Sequence, residues 1–361
     1  MKICLISVEI FAWGKYGGFG RATRTIGREL ARRGHEVYAV VPKRPGQRSV
    51  ENLDGIRVLG FSPWTPWASS RLFRDCDADI YHSCEPSFGT YLAKKAMSDR
   101  KHVVTFRDPR DLRDWKMEFD LPSLNRLQVV HNYFYENNVL VRNCIRDMNA
   151  VFTIGKYLVP KVKSMYKLEF DPVFLPTPVP IPERIRKSDT PTVCYVARLD
   201  RRKRPRLFLD LAKKYPRVHF IAMGKSRDKK WERDLKEEYS HLSNLEMMGF
   251  VDQFRSDVHS NVLEKSWIMV NTATREALPN SFLEACAHQC AILSSVDPDG
   301  FASLFGYHAG DDDFSGGLEF LLESGLWRER GTRGYEYVKQ TFELHRAIDQ
   351  HLAVYERVLA G

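Results

Sequence analysis

Short apolar runs alternate along this chain with stretches whose apolar residues recur every three or four positions, the pattern of buried strands taken in turn with amphipathic helices. Ile3 to Ile10 is a first strand; Gly17-Gly-Phe-Gly20 follows, then a helix with Ala22, Ile26 and Leu30 on one face, stopped at Gly34. His35 to Val41 closes this βαβ unit, whose first turn is rich in glycine. Ile56–Phe61, Ile80–His82, Val103–Phe106 and Val151–Ile154 supply further short strands. The stretch from Pro172 to Pro182 has too many prolines for a continuous helix or a central strand and is the expected linker. Beyond it the alternation restarts, with strands at Thr192–Arg198, Val218–Met223, Leu245–Phe250, Ser266–Thr272 and Cys290–Ser295. From Glu343 to Leu359 the pattern is helical, with Leu344, Ile348, Leu352, Tyr355 and Leu359 on one face. The chain therefore reads as two successive α/β domains with parallel sheets.

Length agrees, since 361 residues are too many for one ordinary core. No apolar run is long enough to span a bilayer, and Glu9 interrupts the one N-terminal stretch that resembles a signal peptide. Seven cysteines, none in a Cys-x-x-Cys, point to a reduced cytoplasmic protein rather than a disulfide or zinc scaffold. With 55 Lys+Arg against 46 Asp+Glu the net charge is +9, which favours anionic partners: a nucleotide, a phospholipid surface or a nucleic acid. No nucleic-acid module stands in the sequence, so nucleic acid is not an expected partner.

Three clusters carry candidate chemistry. In Thr274-Arg-Glu-Ala-Leu-Pro-Asn-Ser-Phe-Leu-Glu284, two carboxylates flank a predicted helix start. A helix N-terminus attracts anions and carboxylates accept hydrogen bonds from polyols, so the pair suits a sugar nucleotide. A solvated loop glutamate followed by a first-turn glutamate accounts for it equally well. The second cluster, Arg198-Leu-Asp-Arg-Arg-Lys203-Arg-Pro205, ends the first strand of the second domain, and ligands of open parallel sheets bind at such ends. Arg198 and Lys203 are cations suited to a diphosphate, although a basic run alone would read as a solvated turn. The third is the Gly17–Gly20 loop. It departs from a dinucleotide fingerprint because Thr23 takes the last small-residue position and Pro42-Lys-Arg44 stands where an acid should hold the ribose. NAD is disfavoured; an NADP oxidoreductase stays an alternative, as does a plain structural turn.

Taken together, these elements resemble the retaining glycosyltransferases of family 4 (glycosyl transferases group 1). The resemblance rests on Glu276-x7-Glu284, Arg198-x4-Lys203, Gly17-Gly18 and Arg33-Gly-His-Glu-Val37 in that family's order, and it covers nearly the whole chain. It implies the GT-B fold, two Rossmann-like domains with parallel sheets facing across a cleft. Residues 1–177, joined by the helix 343–361, would be the acceptor domain and 178–342 the donor domain. It implies transfer of a sugar from a UDP- or GDP-sugar with retention, in a cytoplasmic enzyme, to a glycan or lipid-linked acceptor of cell-envelope type. Neither a cofactor nor a metal is required. Arg198, Lys203 and Glu276 would be catalytic, the cations neutralising the leaving diphosphate and Glu276 touching the sugar hydroxyls. Glu284 would hold the ribose, the backbone of Leu278, Asn280 and Ser281 would face sugar and phosphates, Val251 would line the base pocket, and Gly17, Gly18 and Gly224 would admit the donor. Arg107 stands where the family often has a histidine; it would be a donor-binding residue able to contact the phosphate or an acidic acceptor group, but an arginine is a poor proton acceptor. A non-catalytic sugar-nucleotide binder is the alternative from another functional class.

The acceptor side is least legible. His82, Glu85, Arg107, Asp108 and Arg110 follow strand ends of the first domain and are candidates to line it, each with an ordinary surface role as the competing explanation. Phe61-Ser-Pro-Trp-Thr-Pro-Trp67, with Arg71 and Arg74 close behind, has the composition of a peripheral contact with an anionic membrane at the inner face. The general preference of aromatics for burial weights the two tryptophans toward packing instead.

Overall fold

The computed structural model describes residues 1–123 and 125–361, with the backbone alone at Ser324. Contacts divide them into two units: Met1–Trp115, Leu127–Pro178 and Leu344–Gly361 form the first, and Lys116–Arg126 with Val179–Glu343 form the second. The linear reading leaves 116–126 in the first half; the contacts group this segment with the second.

The first unit contains eight strands, β1 (Lys2–Ile6), β2 (Glu36–Pro42), β3 (Val50–Leu53), β4 (Ile56–Phe61), β5 (Ile80–Ser83), β6 (Lys101–Phe106), β7 (Ala150–Thr153) and β8 (Val173–Phe174). Their order is β3-β4-β2-β1-β5-β6-β7-β8, parallel except for β3 against β4. That hairpin, absent from the sequence expectation, turns through Asp54 and Gly55, both at positive φ (54° and 85°), as a two-residue Asp-Gly turn demands. The parallel strands are covered on both faces, which is why Ile3-Cys-Leu-Ile6 and Val37-Tyr-Ala-Val-Val41 are continuously apolar rather than alternating. The first strand stops at Ile6, short of the expected Ile10, because Ser7 and Glu9 turn inward to make side-chain hydrogen bonds.

The closing helix Leu344–Ala360 belongs to the first unit and buries Ala347, Ile348, His351 and Tyr355. Leu359, expected on that face, is exposed. Two polar contacts fix the helix: His82 Nδ1 and Tyr355 Oη are 2.6 Å apart, and His351 Nε2 donates to Pro176 O at 3.1 Å.

The second unit has six strands, β9 (Thr192–Val196), β10 (His219–Met223), β11 (Leu245–Gly249), β12 (Ile268–Asn271), β13 (Ala291–Ser294) and β14 (Gly306–His308), all parallel in the order β11-β10-β9-β12-β13-β14. Numbered within the unit this is 3-2-1-4-5-6, the dinucleotide-fold order, and the direction of winding reverses between β9 and β12. Side chains beyond the carboxyl ends of those two strands therefore border a natural ligand crevice. In the first unit the same reversal falls between β1 and β5.

Candidate active site

At the reversal in the second unit, the chain leaves β9 through a turn that the surrounding structure holds firmly. Tyr195 Oη donates to Lys203 O (3.1 Å) and Arg198 O (3.3 Å), and Thr272 Oγ1, just past β12, donates to Lys203 O (2.6 Å) and Arg204 O (3.0 Å). Arg204 adopts the left-handed conformation (φ 46°), and Pro205 takes the first position of the helix Pro205–Lys214, where its missing N–H costs nothing. Arg202 pairs with Glu118, and Thr274 Oγ1 meets Met117 Sδ at 3.7 Å, so the segment 116–126 backs this turn.

The turn delivers its cations to different partners. Arg198 Nη1 lies 2.7 Å from Asp200 Oδ2, a buried carboxylate that sequence reasoning passed over. Lys203 Nζ forms an ion pair with Glu276, with side-chain exposures of 14% and 18%. Burial pulls the Lys203 ammonium below its ordinary pKa, and the adjacent Glu276 carboxylate opposes that shift. Two residues assigned on sequence to different parts of a ligand thus meet directly.

Glu276 sits in the loop from β12 to the helix Asn280–Ala287. The cap residue of this helix is Pro279, whose side chain makes no capping hydrogen bond to the helix N-terminus. Leu278 is buried beneath the loop. Glu284, one turn into the helix, is also buried: Gln253 Nε2 donates to its Oε1 at 3.5 Å, and His259 Nε2 lies 3.5 Å from its Oε2. Gln253 follows β11 two residues after Val251, so its hydrogen bond links the segment of the base-pocket candidate to the helix of the ribose candidate. Gly224 ends β10 at φ 153°, donating its N–H to Gly249 O at 2.7 Å. A Cβ there would lie 1.8 Å from Ala197 O. Only glycine lets the ends of β9, β10 and β11 come this close.

The first-unit candidates behave differently. The Gly17–Gly20 loop wraps a carboxylate of its own chain: Gly20 N donates to Glu9 Oε1 at 3.0 Å, Lys15 Nζ is 3.5 Å from Glu9 Oε2, and a Cβ on Gly17 would lie 2.0 Å from Glu9 Oε1. Gly18 begins the helix Gly18–Arg32, and so the positive end of that helix already faces an anion. This opposes a dinucleotide pyrophosphate at the same place. Arg107 is buried; its Nη1 donates to Thr177 Oγ1 at 2.9 Å, and desolvation lowers its pKa. Its backbone N–H and that of Asp108 donate to one oxygen of Glu85, Oε2, at 2.7 and 3.1 Å. Burial pushes the Glu85 carboxyl up to about 8, with Asp108 adding to the shift. Arg110 pairs with Glu136 and stacks its guanidinium 4.1 Å from the Trp115 ring centre.

Two expectations are overturned here. His82 does not line an acceptor surface: it is fully buried between Tyr355 and Thr105, and desolvation holds it well below the ordinary histidine range. The loop tryptophans are not packed: Trp64 is 84% and Trp67 63% exposed, on and beside the helical turn Pro66–Ala68, while Phe61 and Phe73 of the same segment are buried. Among the described residues there is no cluster of His, Cys, Asp and Glu suited to hold a metal ion, and no helix long and apolar enough to cross a membrane.

Residues 181–310 match the family described as glycosyl transferases group 1, and residues 16–173 match glycosyltransferase family 4. Together with two α/β units built on mainly parallel sheets, these matches make the chain a glycosyltransferase of the GT-B fold. It is similar in structure to sucrose-phosphate synthase from Thermosynechococcus elongatus (TM-score 0.73, 15% identity, 99% of each chain). Anabaena HepE in complex with UDP and glucose is similar too (0.72, 12%, 99% of each chain). So is the catalytic domain of starch synthase IV from Arabidopsis thaliana bound to ADP and acarbose (0.68, 12%, 100% of this chain and 99% of that one). No curated protein matches the chain by sequence.

Proposed function

We propose that this enzyme moves a glycosyl group from a UDP- or GDP-sugar to a glycan or lipid-linked acceptor with retention of anomeric configuration, as a member of family 4. The observation that carries the proposal is the Lys203–Glu276 pair at the strand-order reversal, with Arg198 on the same turn and the Pro279-capped helix start four residues beyond Glu276. Cations and helix N-terminus stabilise a leaving diphosphate, and preorganised charge of this kind is worth about 10²–10³ in turnover per donor removed. Glu276 accepts from the sugar hydroxyls and Glu284 from the ribose. Leu278, Asn280 and Ser281 present backbone to the sugar and phosphates, while Gly224 and Val251 border the nucleoside.

In the reaction the bond from the anomeric carbon to the β-phosphate oxygen breaks, its electron pair leaving with the nucleoside diphosphate. The acceptor oxygen bonds to the same face of that carbon, and the acceptor proton passes to the departing phosphate oxygen. Charge on that oxygen is what Arg198 and Lys203 offset. No step needs a metal or a redox cofactor. In the first unit, the Glu9 carboxylate favours hydroxyls over phosphate near Gly17 and Gly18, while the bound Arg107 side chain makes it a shaping residue there. The exposed Trp64 and Trp67 support work at the inner face of an anionic membrane.

A panel of UDP-, GDP- and ADP-sugars tests the reading through nucleoside diphosphate release and thermal protection. One or more donors should be slowly hydrolysed and should raise the unfolding temperature. Protection without any turnover would favour a non-catalytic binder, and neither effect with any donor would refute the proposal.

A further inference from the structure

Gln253 and Glu284 reach each other from different elements, the turn after β11 and the helix Asn280–Ala287. Charge sets which way the amide points: its N–H group faces the carboxylate at 3.5 Å, since the reverse would press two acceptors together. The carbonyl oxygen Oε1 is therefore turned from the carboxylate, and it is buried with no hydrogen-bond donor. A buried amide acceptor left this way is costly, and native structures rarely tolerate one without a role. His259 Nε2 lies 3.5 Å from the other carboxylate oxygen of Glu284. Because the two amide heteroatoms share one carbon, the unpartnered oxygen stands next to the carboxylate that would hold the ribose. Two neighbouring acceptors, one neutral and one charged, complement two neighbouring hydroxyl donors.

We propose that Gln253 is a specificity-determining residue of the nucleoside pocket, its Oε1 accepting one hydroxyl of the ribose cis-diol while Glu284 accepts the other. The proposal rests on the nucleotide-sugar reading above. Gln253 selects a ribonucleotide donor and has no part in bond breaking.

The test uses whichever of UDP, GDP and ADP protects the full-length enzyme best, together with its 2′-deoxy and 3′-deoxy counterparts, in calorimetric titrations. Wild-type enzyme should prefer the ribo form over each deoxy form by roughly tenfold, the effect of one hydrogen bond lost to a buried partner. Gln253→Leu should bring one of the two ratios near one and leave the other, which Glu284→Gln should diminish. A shift in ratio is something a merely structural role of the turn would not produce, and Gln253→Ala repeats the measurement should leucine disturb the turn. Unchanged ratios in both Gln253 variants, or a wild-type enzyme indifferent to both hydroxyls, would overturn the proposal while leaving the donor reading intact. Failure of the wild type to bind any of the three diphosphates would sink the donor reading and this inference with it.

Discussion

Replacing Lys203 by methionine separates two effects that the ion pair with Glu276 combines. Methionine keeps most of the aliphatic stem but leaves the Glu276 carboxylate without its partner at 18% exposure. Breaking a fully buried pair on one side costs about 3–5 kcal/mol. The remaining exposure lets water reach Glu276, so we expect about 2 kcal/mol, or roughly 4–8 °C in unfolding temperature for a unit of this size. Turnover should fall further, by about 10²–10³, because the ammonium that offsets charge on the departing diphosphate is gone. Adding Glu276→Gln removes the orphaned carboxylate and should restore most of the stability with no recovery of turnover. Differential scanning calorimetry gives the first quantity. Nucleoside diphosphate release, measured well below the unfolding temperature of each variant, gives the second. Turnover of Lys203→Met within threefold of wild type would refute the assignment, and so would a double variant in which activity returns together with stability.

Two further outcomes are expected. The Glu85 carboxyl, raised from 4.5 to about 8, is protonated in the folded protein over a range where the unfolded chain is ionised, so its contribution to stability is full below about pH 4.5 and is lost as pH rises toward 8. His82 and His351, both lowered by burial, act in the opposite sense as pH falls below 6.5, and they are common to wild type and variant. The difference in unfolding temperature between wild type and Glu85→Gln should therefore shrink or change sign from pH 5 to pH 8; a constant difference contradicts the buried, protonated carboxyl. Replacing both Trp64 and Trp67 by serine removes two exposed rings without touching the core, so stability should stay within about 0.5 kcal/mol while co-sedimentation with anionic vesicles falls severalfold. Equal recovery of wild type and variant in the supernatant excludes the membrane contact.

Alternation of apolar runs with helical periodicity is a local property, and from it the sequence by itself determined the α/β class, most of the strands and the helix opened by Pro205. The resemblance to family 4 singled out Arg198, Lys203, Glu276 and Glu284 as candidates. What remained hidden depends on contacts between residues far apart in the chain. Lys203 and Glu276 are separated by 73 positions, and they meet because β9 and β12 are neighbours in the sheet although two strands intervene in sequence. Asp200, Gln253 and His259 carry no motif, and only the fold sets each beside a charged partner. Glu9 stands before the glycine loop in plain view, yet that it fills the loop follows from the early end of β1. His82 and Trp64 were misjudged in opposite directions for one reason: composition states what a side chain can do, while tertiary packing decides whether water reaches it.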